Sequence, residues 1–242
     1  MMDDIALKYG EGFFEAQSLD SRRSASVVVP LVNELVRPKS VLDVGCGVGT
    51  WLAEWIVQGV TDVCGMDGEY VDRTMVQIDS ASFQPVDLRN YFSLGRRFDL
   101  VQSLEVAEHI EESCADTFVH SLASHADTIL FSAAIPGQGG THHVNEQWPS
   151  YWIEKFSRHG FKAFDAIRPI IWADPRVCWW YRQNILIFSK KPVFETPKPY
   201  LDLVHPEFLK ASQGSRQSLR HLVGELPVAV KSAARNRLPF LG

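Results

Sequence analysis

Apolar positions along this chain change period in a regular alternation. "SVLDVG" (residues 40–45), "DVCGMD" (62–67), "FQPVDL" (83–88), "FDLVQSLE" (98–105) and "DTILFSAAI" (127–135) are short, nearly continuous apolar runs. Runs of that length bounded by polar residues or glycine predict buried strands. Between them lie segments with helical spacing: "SASVVVPLVNELV" stopped by "RPKS", "TWLAEWIVQG" closed by Gly59, "EESCADTFVHSLASH", and "WPSYWIEKFSRHG" closed by Gly160. Pro30 is expected to bend the first of these or to sit in its opening turns. "FKAFDAIRPIIW" and "NILIFSKK" read as two final strands. Strand and helix in alternation imply βαβ units and a mostly parallel sheet.

The same pattern divides the chain. Residues 1–37, with Tyr9, Phe13 and Phe14 ahead of the first helix, are expected to cap or lid the domain that occupies 38–191. Beyond Lys191, Pro192, Pro197, Pro199 and Pro206 break regular structure in a relatively basic tail, 192–242. The stretch "SLRHLVGELPVAVKSAARNRLPFLG" reads as a helix pair packed on the domain or as a cationic amphipathic anchor for a membrane face or a partner.

Composition narrows the functional classes. The 242 residues suit one sizeable α/β domain with appendages. No apolar run reaches the roughly 18 residues of a membrane span. The start "MMDDIALKYG" is acidic where an export signal carries cations, so a cytoplasmic protein is expected. Cys46, Cys64, Cys114 and Cys178 are widely spaced, which argues against a zinc knuckle or a disulfide framework. A net charge of -5 gives no electrostatic footprint for a phosphate backbone, so nucleic acid is an unlikely partner.

In "VLDVGCGVGTWL" a hydrophobic strand enters Gly45, Gly47 and Gly49 and then opens a helix. Glycines there let backbone approach a nucleotide-like ligand. Thr50 stands where a dinucleotide fingerprint wants its third glycine, which argues against an NAD(P) oxidoreductase. Asp43, two residues before the loop, would repel a pyrophosphate and suits a ligand bearing an ammonium and a sulfonium.

On these residues the sequence resembles the class I S-adenosylmethionine-dependent methyltransferases over roughly residues 38–190. Asp67, ending the second strand, matches the acidic residue that accepts hydrogen bonds from the ribose hydroxyls. Asp87 in "VDL" matches the position that holds the adenine amino group, and "FDLVQSLE" matches the strand lining the methyl-donor pocket. The resemblance adds Gly68, Leu88 and Ser103 to the cofactor set. It implies a Rossmann-like seven-stranded sheet of order 3-2-1-4-5-7-6, last strand antiparallel, with helices on both faces.

"SLEVAEHI" (103–110) places Glu105, Glu108 and His109 directly after the fourth strand. Spacing of i, i+3 and i+4 projects the three together on a helical turn. The pattern is similar to the ExxEH element of the ubiquinone-pathway and small-RNA 2'-O-methyltransferases, in which a later histidine completes a divalent-ion site. "GQGGTHHVNEQWPSYW" offers His142 and His143, with His143 the better fit to the spacing. The resemblance therefore implies a metal set of Glu105, Glu108, His109 and His143 for Mg²⁺ or another divalent cation, with His109 and His143 as catalytic residues. A hydroxyl is a poor nucleophile until its proton leaves, and a bound cation lowers that pKa. The alternative is a metal-free enzyme acting on a phenol, amine or carbon acid, with His109 or His143 as general base. Glu111 and Glu112 read as a solvated helix start.

Trp148, Tyr151, Trp152, Trp172, Trp179, Trp180 and Tyr181 crowd the region after the histidine loop, with Asn145, Glu146 and Gln147 just before. Aromatic faces beside a polar cleft suit a sugar or a flat ring. The "GGTHHVNEQWPSYW" stretch also looks like that of methyltransferase-domain proteins of bacterial polysaccharide and natural-product pathways. The expected activity is O-methylation of a small-molecule or saccharide acceptor. A cofactor-binding scaffold without catalysis is the non-enzymatic alternative.

Overall fold

The computed structural model describes residues 11–191 and 202–211. The first helix, α1 (Glu11–Val36), is longer than its apolar pattern predicts, and Pro30 lies well inside it. One face of α1 buries Ala25, Val28, Val29 and Val32 completely, in one cluster with Trp51, Leu52 and Trp55. Each fully buried valine contributes on the order of 1.5–3 kcal/mol, enough to hold the helix through the donor that proline removes.

The chain then alternates as its sequence requires: β1 (Ser40–Val44), α2 (Thr50–Val57), β2 (Asp62–Asp67), β3 (Phe83–Pro85), β4 (Leu100–Leu104), α3 (Ala115–His125), β5 (Thr128–Ser132), α4 (Pro149–Ser157), β6 (Lys162–Phe164), α5 (Arg168–Ile171), α6 (Trp179–Asn184) and β7 (Leu186–Ser189). The seven strands form one sheet of order β3-β2-β1-β4-β5-β7-β6. Strands β1 to β5 run parallel, whereas β7 pairs antiparallel with β5 and with β6. This is the Rossmann-like arrangement expected from the sequence. Two apolar clusters lie on the sheet, one around Trp51, Trp55 and α1, the other around Phe118, Phe131, Trp152, Phe156 and Phe188.

Two segments depart from the pattern. "FQPVDL" pairs only over Phe83–Pro85, and "FKAFDAIRPIIW" is a strand only over Lys162–Phe164 before it turns into α5. Arg168 causes that turn. Its guanidinium is 1% exposed and grips Asp165 with two contacts of 2.9 Å, while a third nitrogen donates to the Gln183 carbonyl at 2.9 Å. Pro169 in the first turn of α5 fits a helix start and cannot serve a central ladder.

The chain divides into two compact units, Met1–Leu203 and Val204–Gly242. In the second, residues 206–211 are helical. The tail stretch from Ser218 to Gly242 and the first ten residues lie outside the described residues. Among the described residues no helix is long and apolar enough to cross a membrane.

Candidate active site

In a parallel sheet, ligands bind where the strands end, at the point where strand order reverses. Here β1 and β4 are adjacent, and the loops after β1, β2 and β4 share one rim. The glycine loop follows β1. Gly45 (φ 81°) and Cys46 both donate to the Met66 carbonyl, at 2.7 and 3.1 Å, which ties the loop to the end of β2. A Cβ at Gly45 would overlap Val106 Cγ2, so the close approach of the two loops requires glycine. Above Gly47 the space is open, with nothing within 4 Å of where its Cβ would stand. Gly49, also in left-handed backbone, is the N-cap of α2.

Asp67 ends β2 and is 4% exposed. Its carboxylate accepts from Gly47 N at 2.6 Å, Gly68 N at 2.7 Å and the Tyr70 hydroxyl at 2.5 Å. Burial raises its pKa, and these three donors pull it back in part. Asp43 sits deeper, 2% exposed, between Gly65 of β2 and Gln102 of β4 in register. Burial pushes its carboxyl up to about 7, with Asp67 adding repulsion and the Gln102 side chain offsetting part of the rise. Among the described residues Asp43 Oδ2 has no hydrogen-bond partner. Trp55 Nε1 donates to Gln102 Oε1 at 2.8 Å, so the amide nitrogen is the end of Gln102 left for the aspartate. Two buried acids on one rim make a site for positive charge.

The remaining positions expected to hold cofactor are more dispersed. Asp87 lies two residues beyond β3, exposed, and is gripped by Arg89 Nε and an Arg89 terminal nitrogen at 2.8 Å each and by Asn90 at 3.1 Å. Arg89 holds its pKa below the usual carboxylate range. Leu88 is buried in the second apolar cluster, and Ser103 Oγ donates to the Val44 carbonyl at 2.8 Å, joining β4 to β1.

After β4 the chain makes the turn that carries the acids and imidazole. Glu105 adopts left-handed backbone (φ 55°), and its N–H lies on Ser132 of β5. Its carboxylate accepts from Asn184 Nδ2 at 3.1 and 3.3 Å and from Gln138 Nε2 at 2.9 Å. Gln138 Oε1 in turn accepts from Asn184 and Gln183. Glu108 sits in a single 3₁₀ turn, Ala107–His109, and is fully buried. Among the described residues neither of its carboxylate oxygens has a hydrogen-bond partner. Burial first, and then the neighbouring Glu105, push its pKa well above the ordinary range; its own N–H and that of Ala134 offset a little without reaching hydrogen-bond geometry.

Both imidazoles stand beside it. His143 Nε2 is 4.0 Å from Glu108 Oε1, and the His109 and His143 rings meet edge-on with centroids 5.0 Å apart. Burial and the neighbouring His143 hold His109 down at about 4, so its ring is neutral at neutral pH. The loop carrying His143 is fastened to the same turn, because Val144 N and Asn145 N both donate to the Glu108 carbonyl.

One ligand atom from each of Glu108, His109 and His143 falls within 4.8 Å of the others. Two ligands on opposite sides of one ion at about 2.1 Å each are about 4.2 Å apart, so the three are close to a shared sphere. A buried carboxylate without a partner costs several kcal/mol unless a cation or proton neutralises it. The donor set therefore fits a divalent cation. Glu105 is near this trio, but its oxygens are engaged by Asn184 and Gln138.

Tyr70, Gln138, Asn184 and the orienting contact of Glu146 on His143 (2.9 Å) were not singled out by motif. Asn184 reaches Glu105 from 79 positions away, a pairing that only the fold creates. The aromatic group divides: Trp152 and Tyr181 are core residues, whereas Trp148 is 38% exposed.

The profile of a methyltransferase-domain family matches residues 17–166, more than half of the chain. No curated protein matches it. Among solved structures, the methyltransferase domain of bacterial CtHen1 is similar at 15% identity over 69% of this chain and 98% of its own, with a TM-score of 0.50. Magnesium protoporphyrin IX methyltransferase from Synechocystis PCC 6803, solved with bound SAH, is 21% identical over 78% of this chain and 94% of its own (TM-score 0.54). The sugar N-methyltransferase KedS8 from Streptoalloteichus sp ATCC 53650 is 17% identical over 74% and 91% (TM-score 0.56). At these identities the structural likenesses speak for the fold, and the family match speaks for the chemistry. The chain belongs to the methyltransferase-domain family and is an S-adenosylmethionine-dependent methyltransferase.

Proposed function

We propose that this enzyme methylates a hydroxyl of a sugar, glycoconjugate or natural-product acceptor with the help of a divalent cation held by Glu108, His109 and His143. The observation that carries the reading is Glu108: a fully buried carboxylate, neither oxygen partnered among the described residues, beside two imidazoles. With two nitrogens and one carboxylate, the set favours Mn²⁺ or Zn²⁺ over Mg²⁺. Glu105 serves as a brace, tying the end of β4 through Asn184 and Gln138 to α6 and the histidine loop.

On the cofactor side, Asp67 takes the ribose hydroxyls in exchange for its present donors, and the Gly45–Gly49 loop lets the ligand lie against backbone. Asp43 offers negative charge to the cationic end, Ser103 keeps β4 and β1 in register beneath the methyl donor, and Gly68, Asp87 and Leu88 border the adenine. S-adenosylmethionine supplies an electrophilic methyl group; the acceptor oxygen forms a bond to that carbon as the carbon–sulfur bond breaks and its electron pair stays on sulfur. A divalent ion held by Glu108, His109 and His143 would supply the charge that makes the acceptor hydroxyl acidic enough to lose its proton to solvent near neutral pH. His109 and His143 orient the acceptor oxygen, and the neutral state of His109 is the one ligation requires. The sugar preference is supported by the exposed Trp148 beside the histidine loop and by the aromatic crowding around it.

The same neutral His109 also supports a metal-free reading in which an imidazole accepts the hydroxyl proton, although a group titrating at about 4 is a weak base. A screen of nucleotide sugars, saccharides and catechols for methyl acceptance, with and without divalent cations, tests the proposal. Turnover that persists in a strong chelator selects the metal-free enzyme.

A further inference from the structure

The loop between β5 and α4 is wrapped around one carboxylate. Glu146 Oε2 accepts from Gly137 N at 2.7 Å, and Oε1 accepts from Gly139 N at 2.7 Å while lying 2.9 Å from His143 Nδ1. A carboxylate already receiving two backbone N–H groups is an acceptor only, so the hydrogen between it and His143 belongs to the imidazole. That puts the proton on Nδ1 and leaves the Nε2 lone pair facing Glu108, 4.0 Å away. The ring cannot rotate freely out of this pose. A Cβ at Gly140 would overlap Nε2, so glycine leaves the ring its place close to the backbone, and the His109 ring stands edge-on at 5.0 Å.

We propose that Glu146 is a positioning residue that fixes the tautomer and orientation of His143, presenting an unprotonated Nε2 to the ligand between Glu108 and His109. The assignment rests on the cation reading for its consequence, and on hydrogen-bond geometry alone for the tautomer. The Gly137–Gly140 turn is part of the device, because its two N–H groups keep Glu146 from turning away. A glutamine at 146 keeps the shape but reverses one end. Its carbonyl either stays towards His143 and Gly139 N as a weaker, neutral acceptor, or yields to the NH₂, which donates to Nδ1; both shift the ring proton towards Nε2, where it blocks ligation.

Two measurements on the full chain decide the matter. The first is long-range ¹H–¹⁵N correlation NMR of histidine-labelled protein, with His143→Gln to assign the signal, at a pH where the ring is neutral. The wild-type chain shows His143 as the Nδ1–H tautomer, and Glu146→Gln shifts it towards Nε2–H. The second is Mn²⁺ titration calorimetry, in which Glu146→Gln binds roughly 10- to 100-fold more weakly than wild type and Glu146→Asp recovers part of the loss. S-adenosylmethionine affinity within twofold of wild type shows that the variant is folded; if it is not, the wild-type tautomer decides. An Nε2–H tautomer in the wild-type chain overturns the assignment, as does wild-type Mn²⁺ affinity in a folded Glu146→Gln. A wild-type chain that holds His143 as Nδ1–H and binds no Mn²⁺ instead overturns the cation reading while upholding the tautomer.

Discussion

The two halves of the rim treat buried negative charge in opposite ways. After β2, Asp67 is buried and yet has three donors on its oxygens. After β4, Glu108 is buried more completely and has none among the described residues. A satisfied carboxylate can wait for a neutral, hydroxyl-bearing ligand and exchange hydrogen bonds with it. An unsatisfied one demands charge. The cofactor side also keeps one Asp43 oxygen without a partner, but among the described residues it is on the acceptor side that a buried carboxylate has both oxygens bare.

The largest effect that sharpens this contrast falls on Glu108. Replacing it with alanine is expected to lower turnover roughly a thousandfold, the several kcal/mol that charge stabilisation at a developing oxyanion supplies. Isothermal titration should find S-adenosylmethionine affinity within twofold of wild type, and a parallel loss of affinity would erase the division between the two halves. Asp67→Ala should do the reverse: cofactor affinity falls about 10- to 100-fold, as expected for loss of a charged hydrogen-bonding group worth roughly 1.5–3 kcal/mol, while turnover at saturating cofactor stays within a few fold.

Asp43 gives a pH signature. Its carboxyl titrates at about 7 in the fold, against an ordinary value of 3.8, so the native chain keeps a proton that the unfolded chain releases. The stability this proton confers is full below about pH 4 and is lost as pH rises to about 7, at most about 4 kcal/mol. Denaturant unfolding across that window should show a shallower decline in Asp43→Asn than in wild type. Cofactor affinity, since the bound sulfonium favours the ionised acid, should climb through pH 7 only in the wild type. The smallest effect is expected from Tyr70→Phe, which leaves Gly68 N as the one donor on Asp67 Oδ1 and so opens a place there for the ribose; it should tighten cofactor binding about threefold, measured by the same titration. Weaker binding would mean that the tyrosine helps to hold the ligand.

How much of this could be read in advance follows from the range of the contacts. The strands themselves, the glycine loop and the placement of Asp67 at the end of β2 are local in sequence and stand where the apolar runs put them, whereas the strand order, a non-local property, followed from the family resemblance and matches it. The "ExxEH" spacing predicts that Glu105, Glu108 and His109 project together from one turn; Glu108 and His109 share a 3₁₀ turn, and Glu105 stands before it in left-handed backbone. The fate of Glu105 was not legible, because Asn184 and Gln138 come to it from other elements. The short helices α5 and α6 were missed for a related reason. "FDAIRPIIW" has the apolar density of a strand, and the Asp165–Arg168 pair that coils it is an i,i+3 contact hidden among those residues. Glu146 had a signal, its i+3 spacing from His143, but spacing alone did not reveal which atom it would meet.

Asp67 arrives at its task with every one of its contacts already made. When ribose hydroxyls take over from Gly47 and Tyr70, bonds are traded one for one, so that step releases little heat, and the calorimetric enthalpy of cofactor binding will understate how much this aspartate matters. Its worth has to be read from dissociation constants, and a nearly athermal titration of this enzyme is no sign of a weak ligand.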